Sequence, residues 1–229
     1  EQGVSNTDSF IDEVTEEVRR DKLFGYLRRY GWIAVLVIVV IVGGASFNEY
    51  RKAQEEAKAR ALGDAMLAAL SNDAAEDRSA ALAELAAETP EGVAVLALMQ
   101  AGAFADAGDT GAAIAAMQQV QTAADAPLIY RQIATFRALL LQSETLDVET
   151  RRAGFQDLAV PGVPFRLLAE EQLALIDIET GNVDAALDRL RPMLDDAEAT
   201  AGLQRRALQA IVALGGTFDD QGADAATEN

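Results

Sequence analysis

Residues 101–120 read AGAFADAGDTGAAIAAMQQV, and the same phase of small residues and turn recurs in residues 174–193, ALIDIETGNVDAALDRLRPM. Each stretch has two turn-forming residues followed four positions later by an alanine. They are Gly108, Asp109 and Ala113 in the first stretch and Gly181, Asn182 and Ala186 in the second, and equivalent residues are 73 positions apart. Small residues let neighbouring helices cross closely, and glycine supplies a turn conformation that other residues avoid. These six residues are therefore predicted to be the turns and packing positions of one repeated helix–turn–helix unit.

Proline spacing extends the repeat beyond these two copies. Pro90, Pro127 and Pro164 follow one another at intervals of 37 residues, and each precedes an apolar pattern with helical spacing. Proline is tolerated in the first turn of a helix because the N–H that it lacks would have no partner there. The sequence predicts an all-α fold, in which residues 49–216 form an α-solenoid of about four helix pairs plus a capping helix. The small residues and glycine turns of its units resemble the tetratricopeptide repeat (TPR) pattern, so we expect the solenoid to be TPR-like.

An apolar segment precedes the repeats and is long enough to cross a bilayer. Its 19 uncharged residues, 30–48, cover about 28 Å as a helix, against a hydrocarbon core of ~30 Å. The residues predicted to form the membrane anchor are Tyr30, Trp32, Val35, Ile38, Ile41, Gly43, Gly44 and Phe47. A buried core helix and a cleaved signal peptide are the alternatives, but the run is long for the first and follows an extended acidic lead for the second. We expect a retained transmembrane helix.

The flanking charges predict the orientation of this helix. Five basic residues lie close before the helix and four lie close after it (Arg51, Lys52, Lys58 and Arg60), and the Arg28-Arg29 pair abuts its N-terminal end. Because basic residues are enriched on the cytoplasmic side, we expect residues 1–29 to be a cytoplasmic amphipathic segment and residues 49–216 to be periplasmic. The chain would then be a single-pass protein of the bacterial inner membrane. Residues 217–229 are polar and acidic and are predicted to be a disordered tail.

Composition argues against an enzyme. The chain has no Cys and no His, which removes thiol nucleophiles, disulfides and histidine bases, and its net charge of −18 disfavours nucleic acid. Glu170, Glu171 and Asp177 are interpreted as a solvated helix face, and Asp195-Asp196 lacks the alternating oxygens of a calcium loop. The sequence predicts no catalytic, cofactor-binding or metal-binding residue and no small-molecule substrate.

The order of these segments resembles one known family. Residues 26–32 (YLRRYGW), the apolar run and residues 48–54 (NEYRKAQ) look like the beginning of YfgM-like ancillary SecYEG translocon subunits, which are membrane-anchored TPR-like proteins. The resemblance implies a non-enzymatic adaptor that contacts the SecYEG translocon and a membrane-anchored periplasmic chaperone. It supplies no active-site residues and assigns no partner-binding positions. The alternative is an accessory structural subunit of another bacterial membrane complex, such as a respiratory assembly, packed through Gly43-Gly44.

Overall fold

The structure is a computed structural model that describes residues 5–216, with side chains from residue 28 onward except those of residues 30 and 34. All regular secondary structure in this range is helical. The helices are α1 (Ser5–Leu70), α2 (Ala75–Ala83), α3 (Pro90–Asp106), α4 (Thr110–Thr122), α5 (Leu128–Leu141), α6 (Val148–Leu158), α7 (Arg166–Glu179), α8 (Val183–Leu190), α9 (Pro192–Asp195) and α10 (Ala201–Ala213). The prediction of an all-α fold is confirmed, whereas the predicted tail, residues 217–229, lies outside the described residues.

The chain divides into two compact units, residues 1–61 and residues 62–229. In the first unit the described backbone is a single helix, α1, which runs without a break through the glycine pair at residues 43 and 44. Its stretch beginning at Gly31 has a mean hydropathy of 2.1 and is long and apolar enough to cross a membrane. The same helix continues to Leu70, so its last turns belong to the second unit.

The second unit is a linear stack of helices. From α2 to α8 each helix packs against the next one along the chain, and α10 packs against α8 and α9. The last turns of α1 join α2 and α3 in one apolar cluster around Met66, Leu82 and Leu96. Contacts between chain neighbours are what a helical repeat produces, because each hairpin buries its apolar face against the adjacent hairpins. The pairs are the end of α1 with α2, α3 with α4, α5 with α6, and α7 with α8, and α10 caps the stack.

Small residues bring these helices close together. Several alanines on successive helices are completely buried: Ala101, Ala113, Ala134, Ala169, Ala174 and Ala186. A methyl side chain at a crossing lets two helix backbones approach where a larger side chain would hold them apart. Phe136 fills the middle of the stack, with its ring centroid 5.7 Å from that of Phe155 and 6.0 Å from that of Phe165. The core is therefore alanine-rich, with one aromatic cluster near its centre.

Candidate functional site

The two predicted turns have the same backbone geometry. Gly108 has φ of +80° and Gly181 has φ of +78°, and the residue after each glycine donates its N–H back to a carbonyl five residues earlier, at 2.8 Å in both turns. This is the Schellman ending of a helix, in which glycine takes the left-handed conformation. Asp109 also caps α4 by accepting from the N–H of Ala112 at 2.9 Å. Asn182 makes no such cap, and its amide donates to Thr180 Oγ1.

The predicted anchor residues lie on an exposed stretch of α1. The described apolar side chains among them are 59–64% exposed: Trp32, Val35, Ile38, Ile41 and Phe47. A Cβ atom added at Gly43 or Gly44 would meet no atom within 4 Å, so these positions are open to a neighbouring helix. The Tyr30 side chain lies outside the described set. A contiguous apolar surface of this kind marks a binding surface for lipid or for another protein.

A second apolar feature lies on the helices of the repeat domain. Two adjoining cavities share Val93 of α3 and Gln119 of α4, and we call them together the α3–α4 groove. One cavity, of about 160 Å³, is also lined by Pro90, Val120 and Ala123. The other, of about 220 Å³, reaches the residues that follow α2. Both are smaller than the ~300–1,000 Å³ typical of small-molecule pockets, so their size suits side chains that project from a larger partner.

Charge is distributed unevenly along the repeat domain. Residues 62–126, which include the groove, contain ten Asp or Glu residues, and Arg78 is their only Arg or Lys. Arg78 donates to the backbone carbonyls of Asn72 and Asp73, at 3.2 and 2.7 Å, rather than to a carboxylate. Residues 127–216 contain 13 acidic residues and nine arginines. The groove therefore lies in the strongly acidic half of the domain.

In the other half, arginines and carboxylates pair between helices. Asp177 of α7 accepts from Arg152 of α6 at 2.5 Å and from Arg189 of α8 at 2.9 Å. Arg189 also donates to Glu170 at 2.8 Å. The Asp177 side chain is only 4% exposed, so its charge depends on these two guanidinium groups for compensation. These ion pairs form a network that connects α6, α7 and α8.

Further pairs extend this pattern to the end of the stack. Arg206 of α10 holds both carboxylate oxygens of Glu171, at 2.6 and 2.7 Å, and this contact raises the pKa of Arg206. Arg166 at the start of α7 donates to Asp196 and to Glu198, each at 2.8 Å. The Arg166 guanidinium holds the pKa of the Asp196 carboxyl below its usual value. The capping helix is thus tied to α7 by charge as well as by apolar contact.

This network corrects the interpretation of Glu170, Glu171 and Asp177 as a solvated face. That interpretation is wrong because each of the three carboxylates pairs with an arginine on another helix, and Asp177 is buried. Pairs that are 12 to 35 residues apart in sequence leave no local pattern. One feature of the sequence does point to these ion pairs: residues 127–216 contain nine arginines and no lysine, and arginine is the preferred residue in bidentate and buried ion pairs. Among the described residues no Asp and Glu cluster could hold a metal ion.

These features define a helical repeat protein with an exposed apolar helix, and the comparisons assign its family. The sequence model of the tetratricopeptide repeat-like domain matches residues 25–153, so the chain belongs to this family. The match includes the apolar stretch of α1, all of α2–α5 and half of α6. No curated protein and no solved structure matches the chain. Domains of this kind are protein-interaction scaffolds and are typically not catalytic.

Proposed function

We propose that the protein is a membrane-anchored, non-enzymatic scaffold whose TPR-like domain holds a protein partner at the membrane surface. The observation that carries this proposal is the presence, in one chain, of a repeat domain and of a helix whose apolar stretch is not buried against any other part of the described structure. A chain with such a helix needs lipid or protein to cover it, because exposed apolar surface of this extent favours association. Residues 30–48 serve as the anchor, and the repeat domain, residues 49–216, serves as the binding unit.

The partner that we propose is the SecYEG translocon together with a membrane-anchored periplasmic chaperone. The support is the resemblance of residues 26–32 and 48–54 to YfgM-like subunits, and membership in the TPR-like family agrees with it. The N-terminus lies in the cytoplasm and the repeat domain in the periplasm. In this position the scaffold meets polypeptides as they leave the translocon, without any reaction chemistry of its own.

Affinity purification tests the partner. The tagged full-length protein is purified in mild detergent beside a variant that lacks residues 1–48 and is exported through a cleavable signal peptide. Translocon subunits and a periplasmic chaperone should remain bound to the full-length protein, and the variant shows which of them the repeat domain retains. Recovery of a stoichiometric respiratory or other complex without translocon would contradict the SecYEG assignment. It would favour the accessory-subunit alternative, for which the open positions at Gly43 and Gly44 offer a helix-packing site.

Cysteine labelling tests the orientation, because the chain has no natural Cys. Single cysteines are introduced as Thr7→Cys before the anchor and Ala124→Cys in an exposed position of the repeat domain. In intact spheroplasts a membrane-impermeant maleimide should label the second variant and leave the first unlabelled until the membrane is broken. The reverse pattern would refute the periplasmic location, and labelling of both variants would refute a single span.

A further inference from the structure

We propose that the basic end of the membrane helix, at Arg28 and Arg29, binds anionic phospholipid headgroups in preference to zwitterionic ones. The inference rests on the proposed anchor function of residues 30–48 and adds the class of lipid that the anchor selects. It draws on the charges that flank the apolar stretch of α1 and on the partners that the helix offers to those charges.

The two ends of the apolar stretch differ in charge. Residues 19–29, before it, contain five basic residues and one acidic residue, whereas residues 49–60, after it, contain four basic and three acidic residues. Arg28 and Arg29 are exposed, and Trp32, about one turn later, is 64% exposed. The excess of positive charge is therefore concentrated at the N-terminal end of the stretch.

After the apolar stretch, the helix supplies carboxylates to its own basic residues. Arg51 Nη2 lies 3.6 Å from Glu55 Oε1, and Arg60 donates to Glu56 at 3.0 Å. Both pairs are four residues apart in α1, a spacing that places the two side chains on one face of a helix. Much of the positive charge at this end is therefore compensated within α1.

Before the apolar stretch, the helix has no carboxylate at the positions that could pair with the two arginines. The residues three and four positions to either side of Arg28 and Arg29 are all uncharged: Phe24, Gly25, Tyr26, Gly31, Trp32 and Ile33. The nearest acidic residue, Asp21, is seven positions before Arg28, which is about 10 Å along the helix axis. The pairing that neutralises Arg51 and Arg60 is therefore not open to Arg28 and Arg29 within α1.

An anionic headgroup supplies the charge that the helix does not. Guanidinium groups bind phosphate oxygens through two parallel hydrogen bonds, and a basic residue at an anionic membrane surface contributes about 1 kcal/mol. Arg29 lies about 4.5 Å along the axis from Trp32, so both arginines lie at the depth of the headgroups, where tryptophan rings collect. A zwitterionic headgroup compensates its phosphate with its own ammonium group, whereas an anionic headgroup leaves the phosphate to arginine.

Quenching of Trp32 fluorescence measures the preference, because Trp32 is the only tryptophan of the chain. The full-length protein is reconstituted in vesicles of phosphatidylcholine and phosphatidylglycerol, and one lipid at a time is replaced by its form with brominated acyl chains, which quenches tryptophan on contact. We expect phosphatidylglycerol to be favoured about fivefold or more beside Trp32. The whole chain has a net charge of −18, so a general attraction to an anionic surface does not account for such a preference.

Two matched double variants localise the preference. Arg28→Gln with Arg29→Gln should lower it about fivefold, and by no less than twofold, because it removes both guanidinium groups. Arg51→Gln with Lys52→Gln removes the same charge from exposed positions after the apolar stretch and should change the preference by less than twofold. Far-UV circular dichroism checks that both variants keep their helices.

Several results would overturn the lipid assignment. Equal quenching by the two brominated lipids in the wild type would do so, and it would favour an acidic protein surface as the partner of the arginines. A fall of less than twofold in the variant of residues 28 and 29, or an equal fall in the variant of residues 51 and 52, would also overturn it.

Failure of the lipid assignment is distinguishable from failure of the anchor. If both brominated lipids quench Trp32 equally, the helix lies in the bilayer and the anchor stands without a lipid preference. If neither lipid quenches Trp32, the helix lies outside the bilayer, and both the anchor and the lipid assignment are refuted.

Discussion

Removing the charge of Asp177 should loosen the C-terminal half of the repeat domain more than any other single change to a carboxylate there. Asp177→Asn keeps the size of the side chain but leaves Arg152 and Arg189 facing an uncharged group. These arginines are 19% and 30% exposed, while Asp177 is 4% exposed. Loss of one partner from a buried ion pair costs about 3–5 kcal/mol. Because both arginines reach solvent and Arg189 keeps Glu170, we expect the lower end of that range, about 3 kcal/mol.

Hydrogen–deuterium exchange of the full-length protein in nanodiscs locates this effect. A loss of about 3 kcal/mol in the free energy of opening speeds amide exchange roughly a hundredfold, and it should do so in α7 and α8. The matched control is Glu198→Gln, which removes a 74% exposed carboxylate whose partner Arg166 keeps Asp196. Such an exposed pair contributes only ~0–1 kcal/mol, so the control should change exchange by less than about fivefold.

The apolar cluster of α3 and α4 provides the internal reference. It contains residues of α3, α4 and α5 and shares none with the network around Asp177. Exchange in α3 should therefore remain at the wild-type rate in Asp177→Asn. A rise of less than threefold in α7 and α8 would refute the reasoning that the ion network stabilises them. An equal rise in α3 would show that the variant loosens the whole domain rather than this network.

Three further changes probe the turns, the end of the stack and the anchor. Gly181→Ala should lower the free energy of unfolding by about 1–2 kcal/mol, because Gly181 has a φ of +78° that alanine adopts only with strain. Gly63→Ala, within α1, should be neutral or stabilising, and thermal melting of the two variants compares them. Arg166 lowers the pKa of Asp196 in the folded state. The contribution of this ion pair to the free energy of unfolding is therefore complete above the unfolded-state pKa of about 4, and it is lost as the pH falls through the lower folded-state pKa. The difference in melting temperature between wild type and Arg166→Met should therefore shrink below pH ~4, and a constant difference down to pH ~2 would contradict it. Ile38→Arg places a charge in the centre of the predicted span at a cost of about 2.5–3.5 kcal/mol and should increase the share of protein released by carbonate extraction; unchanged release would argue against a span.

Features with local causes could be predicted from the sequence. The turns at Gly108 and Gly181 follow from the need for a left-handed residue at the helix end, and that need is encoded within six residues. The apolar stretch of α1 could also be predicted, because the composition of 19 consecutive residues is enough to recognise it.

Features that depend on distant residues could not be predicted. The partners of the buried Asp177 are arginines 25 and 12 residues away in sequence, and no local pattern around Asp177 predicts these pairs. The α3–α4 groove depends on how closely α3, α4 and the residues after α2 approach one another, and helix periodicity does not specify that spacing. The uneven distribution of charge between residues 62–126 and 127–216 can be counted in the sequence. Which carboxylates pair with arginines and which lie around the groove can be read only from the structure.

Site-specific photo-cross-linking in living cells tests the central claim, that the membrane-anchored repeat domain holds a protein partner. A photoreactive phenylalanine derivative replaces Gln119 in the full-length chain, and the same replacement at Gln118 is the control. After irradiation, the account predicts a discrete protein adduct from position 119 in the membrane fraction, much weaker from position 118. Absence of an adduct from both positions in membranes that contain the protein, or recovery of the chain in the soluble fraction, would contradict it.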